Sequence, residues 1–271
     1  MISNWSELSV MQYQEICILN TDDIDKYSSE LLSILLDIEM SKIEELDIDS
    51  YDSLLFKANF ISNPPKSPFK LSLDISGNTF HKLDLSDLTI GEFVDIENLI
   101  TDIGNNFNVI LSILYRLETK KETQLFKREL ETYGNWIYHR SNLFDDVPVS
   151  YVYNVITEYF KYRSNLFEVY SGLFDSQDDN EDDDEDDGSD QIEDFDDYEV
   201  ISGDNQTKKE SGIAKRNRMK IEANKTAVEK WGWDSMLIRL ANGDGLKLEE
   251  VSCMSVIQGF NILSIKKELD L

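Results

Sequence analysis

The side chains that could do chemistry are few and scattered. The chain has two histidines, His81 and His139, and two cysteines, Cys17 and Cys253. A zinc site draws about four such ligands from closely spaced positions, and here neither histidine lies near a cysteine. His81 falls in a predicted strand and His139 in an aromatic run around Trp136 and Tyr138, where both read as packing or surface residues. The cysteines stand in no motif and read as two buried thiols in a reducing cytoplasm. Phosphate-cradling loops of the GxGxxG or GxxxxGK[ST] type do not occur in the sequence. Asp and Glu are so plentiful that no general acid–base pair stands out. The acid-rich stretch also lacks the ligand spacing of a calcium-binding EF-hand loop. The residue set therefore predicts no catalytic residue, no cofactor and no metal, and a chain that is not an enzyme.

Charge is the strongest compositional signal. The 271 residues carry a formal charge of −28. Sixteen acidic residues and no basic ones lie between Asp175 and Glu199. Phosphate contacts need clustered Lys and Arg, so the balance argues against non-specific nucleic-acid binding. Carboxylates could imitate DNA phosphates if a rigid scaffold held them, which leaves an acidic DNA-mimic inhibitor as one alternative. The start, Met1 to Trp5, shows neither the basic nor the apolar region of a secretory signal. No apolar run approaches the roughly 20 residues of a membrane span, so no membrane association is expected.

The elements that would position these residues are mostly helical. Residues 7–62 read as short helices, one opened by a Ser9/Gln12 capping box, one dense in Leu31, Leu32 and Leu35, and one capped by Ser41 with Glu44. Phe69 to Ile75 then alternates apolar and polar residues, Ser76-Gly77-Asn78 is turn chemistry, and Thr79 to Leu83 can return as a second strand. Helix resumes at Leu88 with a Thr89/Glu92 capping box, and 107–132 and 147–171 read as longer, aromatic-rich helices. The run from about 175 to 207 is too acidic to bury a core and is predicted to be a disordered linker. A basic helix is expected to continue through Trp231-Gly232-Trp233 to a stop at Asn242-Gly243, and Ser255 with Gln258 opens a last helix. The expected fold is mainly α with a small β-hairpin near 69–83. It comprises a helical N-terminal domain (1–174), an acidic linker (175–207) and a small C-terminal helical hairpin (208–271).

Two segments together resemble a known family. One runs from Trp5 to Asn98 and contains Tyr13-Gln14-Glu15-Ile16, Phe60-Ile61-Ser62-Asn63-Pro64 and Leu88-Thr89-Ile90-Gly91-Glu92-Phe93-Val94-Asp95. The other contains Trp231-Gly232-Trp233, Leu240-Ala241-Asn242-Gly243-Asp244 and Glu249-Glu250-Val251. The combination is similar to tail assembly chaperones of tailed bacteriophages, particularly those infecting Bacteroidetes hosts. The resemblance implies a non-catalytic protein in the cytoplasm of the bacterial host that binds the tape-measure protein and recruits tail tube subunits. Its partner-binding residues would be Gly91, Phe93 and Asp95 in the first segment and Trp231, Trp233, Leu237, Leu240, Asn242, Gly243 and Asp244 in the second. A structural or packaged virion protein of the same phage is the other reading. A basic pair, Lys208-Lys209, follows the acid run and raises the possibility that a frameshift appends the C-terminal residues.

Overall fold

A computed structural model describes residues 1–66, 68–120, 129–134, 136–174 and 232–269. The chain divides into two compact units, one formed by Met1–Leu173 with Trp233–Leu271 and the other by Phe174–Gly232. The first is mostly helical with a small four-stranded antiparallel sheet. The acidic linker expected at 175–207 lies outside the described residues, as do Trp231 and the Lys208-Lys209 pair.

The N-terminal helices form where apolar spacing and capping agree. In α1 (Val10–Cys17) the expected box is complete: Gln12 N donates to Ser9 Oγ at 3.2 Å, and Ser9 N donates to Gln12 Oε1 at 3.1 Å. In α2 (Ile24–Leu36), Asp23 caps the start and Leu31, Leu32 and Leu35 make one buried face. The helix α3 (Met40–Glu44) starts at Glu39 without a side-chain cap, so the expected Ser41/Glu44 box is not formed. Asp47 caps α4 (Ile48–Ala58), accepting from Ser50 N at 2.9 Å. Both cysteines are exposed rather than buried, because each lies at a helix end, Cys17 closing α1 and Cys253 following a later one.

The hairpin forms as expected. Strands β1 (Ser72–Ile75) and β2 (Asn78–Lys82) pair antiparallel about Ser76 and Gly77, whose φ values of 51° and 80° are those of a type I′ turn. The long helix expected over 107–132 is not observed. Helix α6 (Ile103–Leu114) ends at Leu114, and the chain continues as β3 (Tyr115–Lys120), which pairs with β2 and then with β4 (Glu129–Leu130). Arg140 fixes that junction. Its guanidinium donates to the carbonyls of Ser112 and Tyr115, each at 3.0 Å, satisfying acceptors that the end of a helix leaves open. The guanidinium also stacks over Phe80 of β2, so helix end and sheet are held by one side chain.

Helix α5 (Ile90–Ile100) and α6 form the middle of the core. Ile90, Phe93, Ile96, Phe107, Ile110 and Leu111 are all nearly or fully buried. Around them pack the short α7 (Trp136–Arg140), the long α8 (Tyr153–Val169) and α9 (Ser171–Phe174). The expected helix over 147–171 is replaced at its start by a 3-10 turn, Val149–Tyr151, and the α-helix begins only at Tyr153. Three C-terminal helices follow, α10 (Asp234–Leu240), α11 (Leu248–Ser252) and α12 (Val256–Glu268). They are the expected C-terminal helices, but two expectations about them are corrected. The first does not run through Gly232 and Trp233: Gly232 has φ 47°, and α10 begins only after Trp233. Nor do residues 233–269 stand as a separate module, because they complete the core that α5 begins.

No helix among the described residues is long and apolar enough to cross a membrane.

Candidate functional site

The two segments that carry the resemblance meet in space, in a junction closed at backbone distance. It starts from two helix N-termini. Thr89 caps α5: Glu92 N donates to Thr89 Oγ1 at 3.3 Å, while Glu92 Oε2 accepts from Thr89 N at 2.7 Å. Ser255 caps α12, its Oγ accepting from Gln258 N at 3.3 Å. Thr89 and Ser255 then face each other as an antiparallel bridge. Ile90 N donates to Met254 O at 2.7 Å, and Val256 N donates to Leu88 O at 3.1 Å. The first amide of a helix has no partner within its own helix. Here each of the two donates to the carbonyl just before the other helix's cap, so each helix start completes the other.

Beside that bridge, α5 touches α11 at backbone distance. A Cβ placed on Gly91 would lie 2.8 Å from Ser252 Cβ and 3.0 Å from Ser252 O, so only glycine permits the approach. Past Gly91, an aromatic cluster gathers on Phe93. Trp233 and Phe260 meet its ring edge-to-face, both at 5.4 Å between centroids, and Trp233 stacks on Phe167 at 5.8 Å. Tyr170 closes the far side against Phe260 at 5.3 Å, and its hydroxyl donates to Asn261 Oδ1 at 2.9 Å. Such edge-to-face pairs contribute about 0.5–1.5 kcal/mol each beyond the area they bury.

Three carboxylates on α5 are held in different ways. Glu92 is buried, and its second oxygen pairs with the equally buried Arg116 of β3. Burial, and then the nearby Arg140, pull the Arg116 guanidinium down to about 10. Glu97 is also buried and takes both Nε contacts of Arg163, at 2.8 Å each, with the Tyr159 hydroxyl at 2.9 Å. Burial and then the Glu97 carboxylate push the Tyr159 phenol far above its ordinary range, so it stays a donor. Among the described residues, Asp95 meets no cation. It accepts from the Tyr133 hydroxyl, and burial, then the Asp234 carboxylate at the start of α10, push it up to about 6.

The structure thus relocates the residues that the sequence assigned to partner binding. Gly91, Phe93 and Leu240 are buried against the chain's own C-terminal helices, Trp233 and Leu237 are half-buried, and Asp95 faces Asp234 across the same seam. Asn242 and Gly243, with φ 55° and 75°, end α10, and Lys266 donates to Asn242 Oδ1 at 2.6 Å. Asp244 Oδ1 accepts from Leu246 N at 3.0 Å and caps the next turn. Gly91, Phe93 and Trp233 join the two segments to each other, while Asn242, Gly243 and Asp244 stay exposed beside the seam. The exposed apolar side chains include Ile48 and Phe56 on α4, at 79% and 82% exposure, and Ile24 on α2 at 75%. The sequence signal for the first two was present, since α4 carries apolar residues around more than one face.

No protein-family model, curated protein or solved structure matches this chain.

Proposed function

We propose that this chain is a non-catalytic tail assembly chaperone of a tailed bacteriophage, which binds the tape-measure protein and recruits tail tube subunits in the cytoplasm of the bacterial host. One observation carries the reading. The two segments on which the resemblance rests lie at opposite ends of the sequence, yet they pair reciprocally through Leu88–Ile90 and Met254–Val256 in one core. Segments that co-occur because they fold together support a common family domain better than two unrelated short likenesses would. The exposed apolar residues on α2 and α4, in a chain of net charge −28, suit a holdase. Apolar groups can cover an aggregation-prone helix while the charge keeps the complex dispersed. Because residues 233–269 belong to the core, both jobs fall to a single folded body rather than to a globule and a detachable recruiter.

The test is co-expression of the full chain with the phage's tape-measure and tube proteins, followed by affinity capture. The tape-measure protein is expected to become soluble and to co-purify, with tube subunits joining the complex. Recovery of the chain in mature particles, or with a host DNA-binding enzyme and no tape-measure protein, would overturn the reading.

A further inference from the structure

A second surface lies at the other side of the sheet, and it does not depend on the chaperone reading. The strand order β1-β2-β3-β4 leaves β1 as an edge. The pairing fixes which of its backbone groups point outward. In a two-residue hairpin the pair flanking the turn, Ile75 and Asn78, is hydrogen-bonded, and alternate pairs follow. Lys82 N donating to Leu71 O at 2.9 Å confirms that odd-numbered residues of this strand face β2. The amides and carbonyls of Ser72 and Asp74 therefore face away from the sheet, and among the described residues none meets them. At one end the same outward row is already in use, since Lys70 N donates to Tyr151 O at 2.8 Å.

That outward row forms one wall of a groove of about 480 Å³. The opposite wall is the segment from Asn142 to Pro148, with Leu143 and Asp146 on it. A four-residue strand is about 13 Å long and 4.8 Å wide in a layer about 10 Å thick, so it fills about 600 Å³. The groove thus takes the backbone and most of the side-chain volume of three or four extended residues. Both carboxylates on its walls, Asp74 and Asp146, are exposed. The one cation among the described residues of its lining, Lys70, is drawn aside, its ammonium 3.4 Å from the centroid of the Tyr151 ring.

We propose that this groove binds an extended, lysine- or arginine-bearing segment of a partner protein as a fifth strand on β1, with its backbone on Ser72 and Asp74 and its cations at Asp74 and Asp146. Backbone pairing at an open edge supplies affinity, and the flanking side chains select the sequence. A second copy of this chain is a poor occupant, because it would bring another Asp74 strand and another net charge of −28 to the same edge.

The probe is an end-blocked, fluorescein-labelled peptide of alternating lysine and valine, titrated into the full chain and followed by anisotropy. The acid-rich stretch will attract any basic peptide diffusely, so backbone readouts decide. N-methylation of one alternate set of peptide amides is expected to abolish binding, and methylation of the other set to leave it intact. Ser72→Pro removes one outward amide without touching the β2 ladder, and is expected to weaken binding about tenfold with the melting temperature unchanged. Asp146→Lys is expected to weaken binding several-fold. The proposal fails if the peptide does not bind, if both methylated peptides bind alike, or if Ser72→Pro binds like the parent. It also fails if sedimentation shows that copies of the chain pair through this edge and that Ser72→Pro separates them.

Discussion

Glu92 serves two groups at once. One oxygen closes the capping box at Thr89 and the other pairs with Arg116 in a buried setting. Removing one member of a buried ion pair costs about 3–5 kcal/mol. Glu92→Gln keeps an oxygen for the cap but not the charge, so it is expected to lose stability on that scale in urea unfolding. The double variant Glu92→Gln/Arg116→Met is expected to recover much of the loss. A single variant within about 1 kcal/mol of the parent would show that the pair is not desolvated as described. Asp95 gives the opposite sign. Its folded pKa, about 6, lies above its ordinary 3.8, so between these values the folded state holds the proton more tightly than the unfolded state. Asp95 therefore favours folding at low pH, and the benefit disappears as pH rises through about 6. Asp95→Asn is expected to be more stable than the parent at pH 7, by about 1 kcal/mol after allowance for its partial exposure. That advantage should shrink to nothing by about pH 4, in melting curves taken across the range. An advantage that does not vary with pH would mean that something other than the carboxyl's ionisation is responsible.

At the scale of elements, local rules were legible and partnerships were not. The boxes at Ser9 and Thr89, the cap at Ser255 and the Ser76-Gly77 turn follow from residue types a few positions apart, and all four form. Strand β3 was hidden because Ile113-Leu114-Tyr115 continues the apolar run of α6 without a Gly or Pro. The stop is supplied from afar by Arg140. The alternation that follows is also masked, since Arg116 is buried on the face where a polar residue reads as exposed. The seam between α5 and the C-terminal helices escaped for a related reason. Periodicity shows that Phe93 and Phe260 are inward, but not that each is covered by the other. Gly91 is where that seam can be tested. In an exposed helix, alanine for glycine would stabilise by about 1 kcal/mol. Here the new Cβ meets Ser252, at a distance that backbone atoms cannot yield cheaply. Gly91→Ala is therefore expected to lower the melting temperature and to speed amide exchange in residues 248–268. If the variant is more stable than the parent, the close approach of α5 and α11 is wrong.

For the whole molecule, the consequence is that its two ends depend on each other. Phe93, Leu240, Val251, Val256, Phe260 and Leu263 are buried in or beside the seam. Each fully buried side chain of this size contributes about 1.5–3 kcal/mol. Together they are on the order of the entire net stability of a domain, about 5–15 kcal/mol. A chain truncated before Trp233 would expose one side of this set to water, so it is expected to aggregate or to lose cooperative unfolding. If residues 1–173 alone stay monodisperse with the parent's melting transition, the C-terminal helices are an accessory after all. The complementary experiment severs the chain and keeps both ends. With a protease site engineered between 175 and 207, the two fragments remain joined only by non-covalent contacts. Among these are the paired amides of Ile90 and Val256 and the ring cluster on Phe93. These contacts are expected to keep the cut protein together through gel filtration at physiological salt, and Gly91→Ala to make the fragments separate. Ready separation of the unmodified fragments would mean that the two ends fold as independent bodies, and the division of the sequence into a globule and a separate module would be restored.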